Sequence, residues 1–325
     1  MVETSIPNYL KFPILDSDPD HIKFQQLNEM AVRDGWRRAL EEVYRSEPGR
    51  IRYVTDLARS KFVELLPLNK ESTVLEIGSS LGQITVALAA RVGFLHAIEV
   101  VPGQAQFTAE RCRQEGLFNV AVACGGDDCR LPYESGTIDG VVLNLVLEWC
   151  GGADPSTSHI SSQRRLLAEC RRVLKPGGWF FLTTKNRYGL NYLLGKPDEH
   201  TFGWRFGQAL PRWLLAILLR LRGKSRSNGL IHSNRGLSQL LIEAGFSNLR
   251  PYCAVPEYRS PREYVAADSA SIATARRRPG FEQPGDPKYV RLLMHFVPAP
   301  LVQHIMPGLV FLADNPREQR VPLSL

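Results

Sequence analysis

Nowhere in its 325 residues does the chain hold a run of about 18 apolar residues, so no membrane-spanning helix is expected. Its first residues, MVETSIPNYLKF, lack a basic stretch followed by an apolar one, so no secretory signal is expected either. Six cysteines are present: Cys112, Cys124, Cys129, Cys150, Cys170 and Cys253. None stands in a C-x-x-C pair and no His/Cys spacing resembles a zinc site, so no metal is expected. Reduced thiols and a cytoplasmic location follow from this usage. Internal repeats and low-complexity segments are missing as well. What remains is ordinary: 44% hydrophobic and 22% charged residues, which excludes wholesale disorder, a collagen-like chain and a coiled coil.

The balance of 40 basic against 33 acidic residues gives a net charge of +7. Such an excess suits nucleic acid, an anionic membrane or a phosphorylated substrate, and the distribution carries more than the total. Arg212, Arg220, Arg222, Lys224, Arg226 and Arg235 lie close together. Arg276, Arg277 and Arg278 form a second run.

The apolar spacing predicts helices over 20–46 and 51–66, after an irregular start with Pro7, Pro13 and Pro19. The pattern then changes to strands at 73–77, 94–100, 118–124, 137–143 and 179–184, with helices 82–92, 103–115 and 161–174 between them. Lys175-Pro176-Gly177-Gly178 reads as the stop of the last helix. This alternation predicts an α/β fold with a parallel sheet covered on both faces. A helix at 235–244 and strands at 247–254 and 308–313 follow. The chain divides into a helical extension (1–72), a core (73–184), an insertion or cap (185–234), a core helix and strand (235–254), a second insertion (255–307) and a last strand with its tail (308–325).

The strongest signal is Val74-Leu75-Glu76-Ile77-Gly78-Ser79-Ser80-Leu81-Gly82-Gln83, a strand that runs into small residues and then a helix. Such a turn lets a ligand approach the backbone at the carboxyl edge of the sheet. It is not G-x-G-x-x-G, and Glu76 beside the turn suits a ligand with an ammonium group better than a pyrophosphate. Glu99 ends the second strand, followed by Val100, where an acid can accept from both ribose hydroxyls. Asp127 and Asp128 follow the third strand, where a carboxylate can accept from an adenine amino group.

Together VLEIGSSLGQ, HAIEV, GGDDCRLPYESGTIDGVVLNLVLEW and LLAECRRVLKPGGWFFLTTKNRYG resemble the class I S-adenosylmethionine-dependent methyltransferases. The resemblance covers 73–184 well, and 235–254 and 308–314 more loosely. It implies a Rossmann-like sheet of seven strands, mostly parallel with the last antiparallel. It also implies S-adenosyl-L-methionine as cofactor and S-adenosyl-L-homocysteine as product. Glu76 and Gly78 would lie near the methionine part, Glu99 would hold the ribose and Asp127 would meet the adenine, with Ser79, Ser80, Gly82, Val100 and Asp128 also at the cofactor. Asn144 and Leu145 would meet the methionine end. The chain departs from the family at Ser80, which is often a glycine there; a small serine still lets the cofactor approach.

Methyl transfer to a hydroxyl needs a positioned acceptor and a proton acceptor. Asn186-Arg187-Tyr188-Gly189 and Lys196-Pro197-Asp198-Glu199-His200-Thr201 follow the fifth strand. They nominate His200 as the base, oriented by Asp198 or Glu199. A surface His200 beside two capping acids is the competing reading. Trp149, Asn186, Arg187, Tyr188, His232, Tyr258 and Arg259 are candidate substrate contacts, with His232 also a candidate for a helix cap.

In 210–224, LPRWLLAILLRLRGK, apolar residues occupy most of a helical wheel, with Arg212, Arg220 and Lys224 on the remainder. This helix either packs inside a cap, the favoured reading, or lies on an anionic inner membrane face with Trp213 near the headgroups. The stretch N-R-Y-G-L-x-Y-L-L-G-x-P-D-E-H-T with Tyr258-Arg259 is similar to bacterial methyltransferases found with glycan-assembly enzymes. That implies O-methylation of a sugar hydroxyl or secondary metabolite, on a small-molecule or glycan substrate. An N-methyltransferase on a small amine or RNA and a non-catalytic cofactor-binding subunit stay open. No RNA-binding signature is present, so nucleic acid ranks lower. The oligomeric state is not legible.

Overall fold

The computed structural model describes residues 6–12, 19–154, 156–281 and 293–317. Its centre is a sheet of eight strands: β1(Thr73–Ile77), β2(Phe94–Glu99), β3(Val120–Cys124), β4(Ile138–Asn144), β5(Leu174–Lys185), β6(Ser247–Val255), β7(Glu263–Ala266) and β8(Gly308–Asp314). Their spatial order is β3-β2-β1-β4-β5-β8-β6-β7. The strands β1 to β5 are mutually parallel, whereas β8 runs antiparallel to β5 and to β6. The central strands carry near-continuous apolar runs because both faces are covered. Leu75, Val141, Phe180 and Leu182 are buried on one side with Leu166, Leu167 and Leu241. Val74, Val142 and Phe181 are buried on the other with Phe62 and Leu88.

After β1 the chain winds outward through β2 and β3, then crosses back to lay β4 on the opposite side of β1. That reversal opens a crevice at the carboxyl ends of β1 and β4, the place where α/β sheets bind ligands. The sequence leads to seven strands. The eighth, β7, pairs with β6 inside what reads as the second insertion. Its Val265 is buried with Ile272, Phe281, Val302 and Met306, so much of that insertion is a packed satellite core on the sheet edge.

Helices cover the faces: α1(Pro19–Asp34), α2(Trp36–Val43), α3(Pro48–Thr55), α4(Thr85–Ala89), α5(Pro102–Gln114), α6(His159–Val173), α7(Leu190–Leu193), α8(Arg212–Leu221), α9(Asn234–Glu243), α10(Ser269–Arg276) and α11(Ala299–Ile305). The helix expected over 20–46 breaks at Gly35, whose φ is +93°, so α2 leaves at a new angle. The helix expected over 51–66 is α3 followed by a 3₁₀ run, Leu57–Leu65, started by Asp56 Oδ1 accepting from the Ala58 amide. The Lys-Pro-Gly-Gly stop lies inside β5 rather than before it, because Leu174 pairs with Ile138 ahead of a register shift. None of the described helices is long and apolar enough to cross a membrane.

Candidate active site

Gly78 and Gly82 have φ of +81° and +76°, so both sit in the left-handed region that glycine favours. A Cβ at Gly78 would lie 2.3 Å from Val146 Cγ2, so the turn after β1 and the turn after β4 touch across the crevice. Ser80 also has positive φ, at +50°. Its amide donates to Glu99 Oε2 at 2.8 Å, and its carbonyl accepts from Thr108 Oγ1 at 2.8 Å. Ser79 Oγ and Gln83 Oε1 are buried without a hydrogen-bond partner.

Three carboxylates surround this turn. Glu76 is buried and accepts from Thr85 Oγ1 at 2.6 Å. Burial pushes its carboxyl up to about 7, against the Thr85 hydrogen bond. Glu99 is likewise buried, with Oε2 on Ser80 N and Oε1 on Val101 N at 3.1 Å. Burial raises its carboxyl and the backbone amides partly offset that. One lone pair on each oxygen remains for a diol. Asp127 Oδ2 accepts from Lys11 N at 2.9 Å and Phe12 N at 2.7 Å, while Oδ1 is buried with no partner. Asp128 instead turns back on its own loop, accepting from Arg130 N at 3.0 Å. Val100 is exposed beyond the strand end. Asn144 closes β4, and Leu145, with φ +59°, donates its amide to Thr183 O at 2.8 Å.

The strap that holds Asp127 has no counterpart in the sequence reading. Residues 7–9 add to the β3 edge, with Cys124 N on Pro7 O and Tyr9 N on Cys124 O, both at 2.8 Å. Arg111 is a second silent contributor. It is buried, stacks over Trp36 at 4.1 Å and donates to Leu81 O at 3.0 Å, which ties the helical extension to the glycine turn.

A second polar cluster lies past the carboxyl ends of β4 and β5. Lys185 ends β5, buried, with its ammonium on Glu199 Oε1, 3.3 Å from His200 Nε2 and 3.9 Å from Asp198 Oδ1. Glu148, in the 3₁₀ turn Leu147–Trp149, accepts from Thr184 Oγ1 at 2.7 Å and keeps Oε1 buried and unpartnered. Burial pushes the Glu148 carboxyl up to about 7. His200 is wholly buried, against the Trp149 ring at 4.2 Å. Burial, reinforced by the Lys185 ammonium, lowers it to about 4.

The expected dyad takes a different shape. His200 is not a surface side chain, and neither acid is its hydrogen-bond partner. Asp198 is occupied by Tyr192 Oη at 3.1 Å and by Gln208 Nε2 at 2.6 Å, and Glu199 by Lys185. Lys185 takes the place beside the imidazole because a chain end on β5 reaches inward, whereas 198–201 is wound into a 3₁₀ turn. Lys185 and Glu148 are absent from the expected site; their only signals in the sequence are a lysine right after the fifth strand and an acid next to Trp149.

Of the expected substrate contacts, Trp149 lies over His200, and Tyr258 is buried near the same cluster, with the Glu148 and Arg259 charges acting on it. Tyr188 and Arg259 are exposed. Three others are held in structural bonds. Asn186 Nδ2 donates to His304 O and Met306 O, both at 2.9 Å. Arg187 donates to Gln208 O and Leu210 O. His232 Nε2 is 2.7 Å from Gln163 Oε1 in the interior, not on the Ser233 cap that starts α9. All six cysteines are free and buried. Among the described residues no group of three His, Cys, Asp or Glu side chains is placed to hold a metal.

Comparison with known proteins agrees with this geometry. Residues 75–182 match the family described as a methyltransferase domain. The biotin biosynthesis bifunctional protein BioHC of Cellvibrio japonicus is 29% identical over 126 residues, 38% of this chain and 22% of that one. The malonyl-[acyl-carrier protein] O-methyltransferase of a Marinomonas species is 28% identical, over 61% of this chain and 63% of that one. The ubiquinone/menaquinone biosynthesis C-methyltransferase UbiE of Acidiphilium cryptum is 31% identical, over 45% and 58%. The chain spans less than two thirds of the length of each of these relatives.

Proposed function

We propose that this chain, whose residues 75–182 form a class I S-adenosylmethionine-dependent methyltransferase domain, methylates a hydroxyl of a sugar or secondary metabolite. The cofactor of such a domain is S-adenosyl-L-methionine, which supplies a methyl group on a sulfonium sulfur. The residues at the crevice fit it. Asp127 Oδ1 and Ser79 Oγ are buried acceptors without partners, and Glu99 keeps a free lone pair on each oxygen. In this reading Asp127 takes the adenine amino group, Glu99 the ribose diol, and Glu76 with the glycine turn the methionine part. Asn144 and Leu145 close that end. Asp128 and Val100 flank the adenosine rather than hold it.

The observation that carries an oxygen acceptor is the buried titratable cluster beyond β4 and β5. A hydroxyl must lose its proton as the methyl arrives, and a neutral amine need not lose one before attack. Two groups there can take it. His200 is held neutral by burial and by Lys185. Glu148 is a buried carboxyl with one free oxygen, poised near neutrality. Lys185, pinned by Glu199 and near Asp198, fixes the cluster, and Trp149, Tyr188, Tyr258 and Arg259 are the substrate contacts. A glycan is the acceptor class this reading favours.

The test is turnover with labelled cofactor against a panel of sugar hydroxyls, using Glu148→Gln and His200→Gln. At least one variant should lose about 10²–10⁴ in kcat while S-adenosylhomocysteine affinity is kept. Full rates in both variants would remove the base and favour an amine acceptor. No turnover on any acceptor, with S-adenosylhomocysteine still bound, would favour the non-catalytic cofactor-binding reading.

A further inference from the structure

We infer that the outer face of the cap is a docking surface for an anionic phospholipid bilayer, independently of what the enzyme methylates. The starting observation is charge. Residues 200–242 contain no Asp or Glu, yet hold Arg205, Arg212, Arg220, Arg222, Lys224, Arg226 and Arg235. A stretch this one-sided within a chain of 33 acidic residues generates a positive face, which attracts acidic headgroups within a Debye length.

The helix at the centre of that stretch is turned outward. In α8 only Leu219 is fully buried. Trp213, Ile217 and Leu221, spaced four residues apart on one side, are 67%, 47% and 77% exposed. Arg212 and Arg220 are exposed beside them. An apolar ridge with basic flanks and an aromatic near one end is the arrangement that lies in a bilayer interface. Expecting this helix to pack inside a cap accounts for Leu219 and its half-buried neighbours, but leaves that ridge uncovered.

A cavity of about 250 Å³ continues the surface past the end of α8. Phe202, Lys224, Ser225, Arg226, Ser227 and Asn228 are among its lining. Lys224 Nζ stands 4.8 Å over the Phe202 ring. Arg226 is fixed by three carbonyls, Thr157 O and Gly151 O at 2.7 Å and Asp154 O at 3.1 Å, so its charge is held there without a carboxylate partner. Asp154, next to this pocket, accepts from Ser156 and Thr157, which hold it ionised, so the net charge there is that of two cations less one carboxylate. A phosphodiester headgroup fits such a pocket: the Ser225 hydroxyl and two cations for the phosphate, with Ser227 committed to Gly229 O at 2.8 Å, and an exposed phenyl ring for the acyl boundary.

The test is co-sedimentation with vesicles of phosphatidylcholine alone and of phosphatidylcholine with phosphatidylglycerol, read together with tryptophan emission. Partition should require phosphatidylglycerol and fall with salt. Trp213→Phe should abolish a blue shift of the emission. The double variant Trp213→Glu/Leu221→Glu should abolish partition with an unchanged melting midpoint, because both side chains are exposed. Arg220→Gln/Arg222→Gln/Lys224→Gln should weaken it by roughly a hundredfold at low salt. Four results would overturn the inference. One is no partition of folded protein at low salt. Another is full displacement by inorganic phosphate, with the apolar variant binding phosphate as wild type does, which would leave a phosphate pocket alone. A dimer that Trp213→Glu dissociates would make the ridge a self-association surface. RNA binding that the charge variant loses and vesicles do not compete for would make the face a nucleic-acid surface. None of these readouts depends on methyl transfer.

Discussion

Glu76 and Glu148 show how burial gives two distant carboxyls the same character. Both are fully buried, both accept a single side-chain hydroxyl, and burial raises both to about 7. A carboxyl whose folded value lies above its unfolded value of about 4.5 favours the folded state while protonated. That contribution is present below pH 4.5 and is lost as pH rises toward 7. Glu148→Gln keeps the neutral form at every pH. Its melting midpoint relative to wild type should therefore climb between pH 4.5 and 7 and level off above. A difference that stays flat across that range would show that Glu148 has an ordinary carboxyl. The opposing fall in stability at low pH from His200 and His232, both lowered to about 4, is common to the two proteins and cancels. At this scale the sequence places a residue well where a strand fixes it: Glu99 closes β2, and Asp127 follows three residues after the end of β3. It is a poor guide where partners come from distant segments. His200 pairs with Lys185 because β5 delivers that ammonium, and no local spacing of Asp198 or Glu199 reveals it.

At the scale of elements, alternating apolar runs made β1 to β5 and their crossover helices legible. Buried parallel strands need such runs to satisfy both faces. Three elements escaped. The strap at 6–12 makes two backbone bonds to Cys124 and two to Asp127, and such pairing leaves no side-chain pattern to read. The strand β7 has only four residues, too short for a periodicity. The break between α1 and α2 at Gly35 was blurred because apolar positions continue on both sides of it. The extension nevertheless matters to the site. Trp36 is buried, edge-on to Phe107 at 6.4 Å, and covered by Arg111, which in turn holds Leu81 of the glycine turn. Trp36→Ala should cost about 3–5 kcal/mol in a denaturant melt. It should also weaken S-adenosylhomocysteine binding, since Arg111 loses the ring that positions it. A loss of stability with affinity unchanged would show that the extension is scaffold only.

At the scale of the whole molecule, two sides of one sheet edge divide the work. The extension and the strap close over the β1–β3 half, where Glu76, Glu99 and Asp127 stand. The cap closes over the β4–β5 half, where the titratable cluster lies, and contains the stretch 200–242, which has no acidic residue. This division follows from topology: the crossover between β3 and β4 places the two halves on opposite sides of β1. In the proposed function, the crevice at that reversal binds the adenosyl cofactor through Glu99. The most direct measurement is calorimetric titration of S-adenosylhomocysteine into the wild type and into Glu99→Ala. The account predicts binding by the wild type and a loss of tenfold or more in the variant, the scale of hydrogen bonds to a charged group. Equal affinity in the two proteins, or no binding by folded wild type, would contradict it.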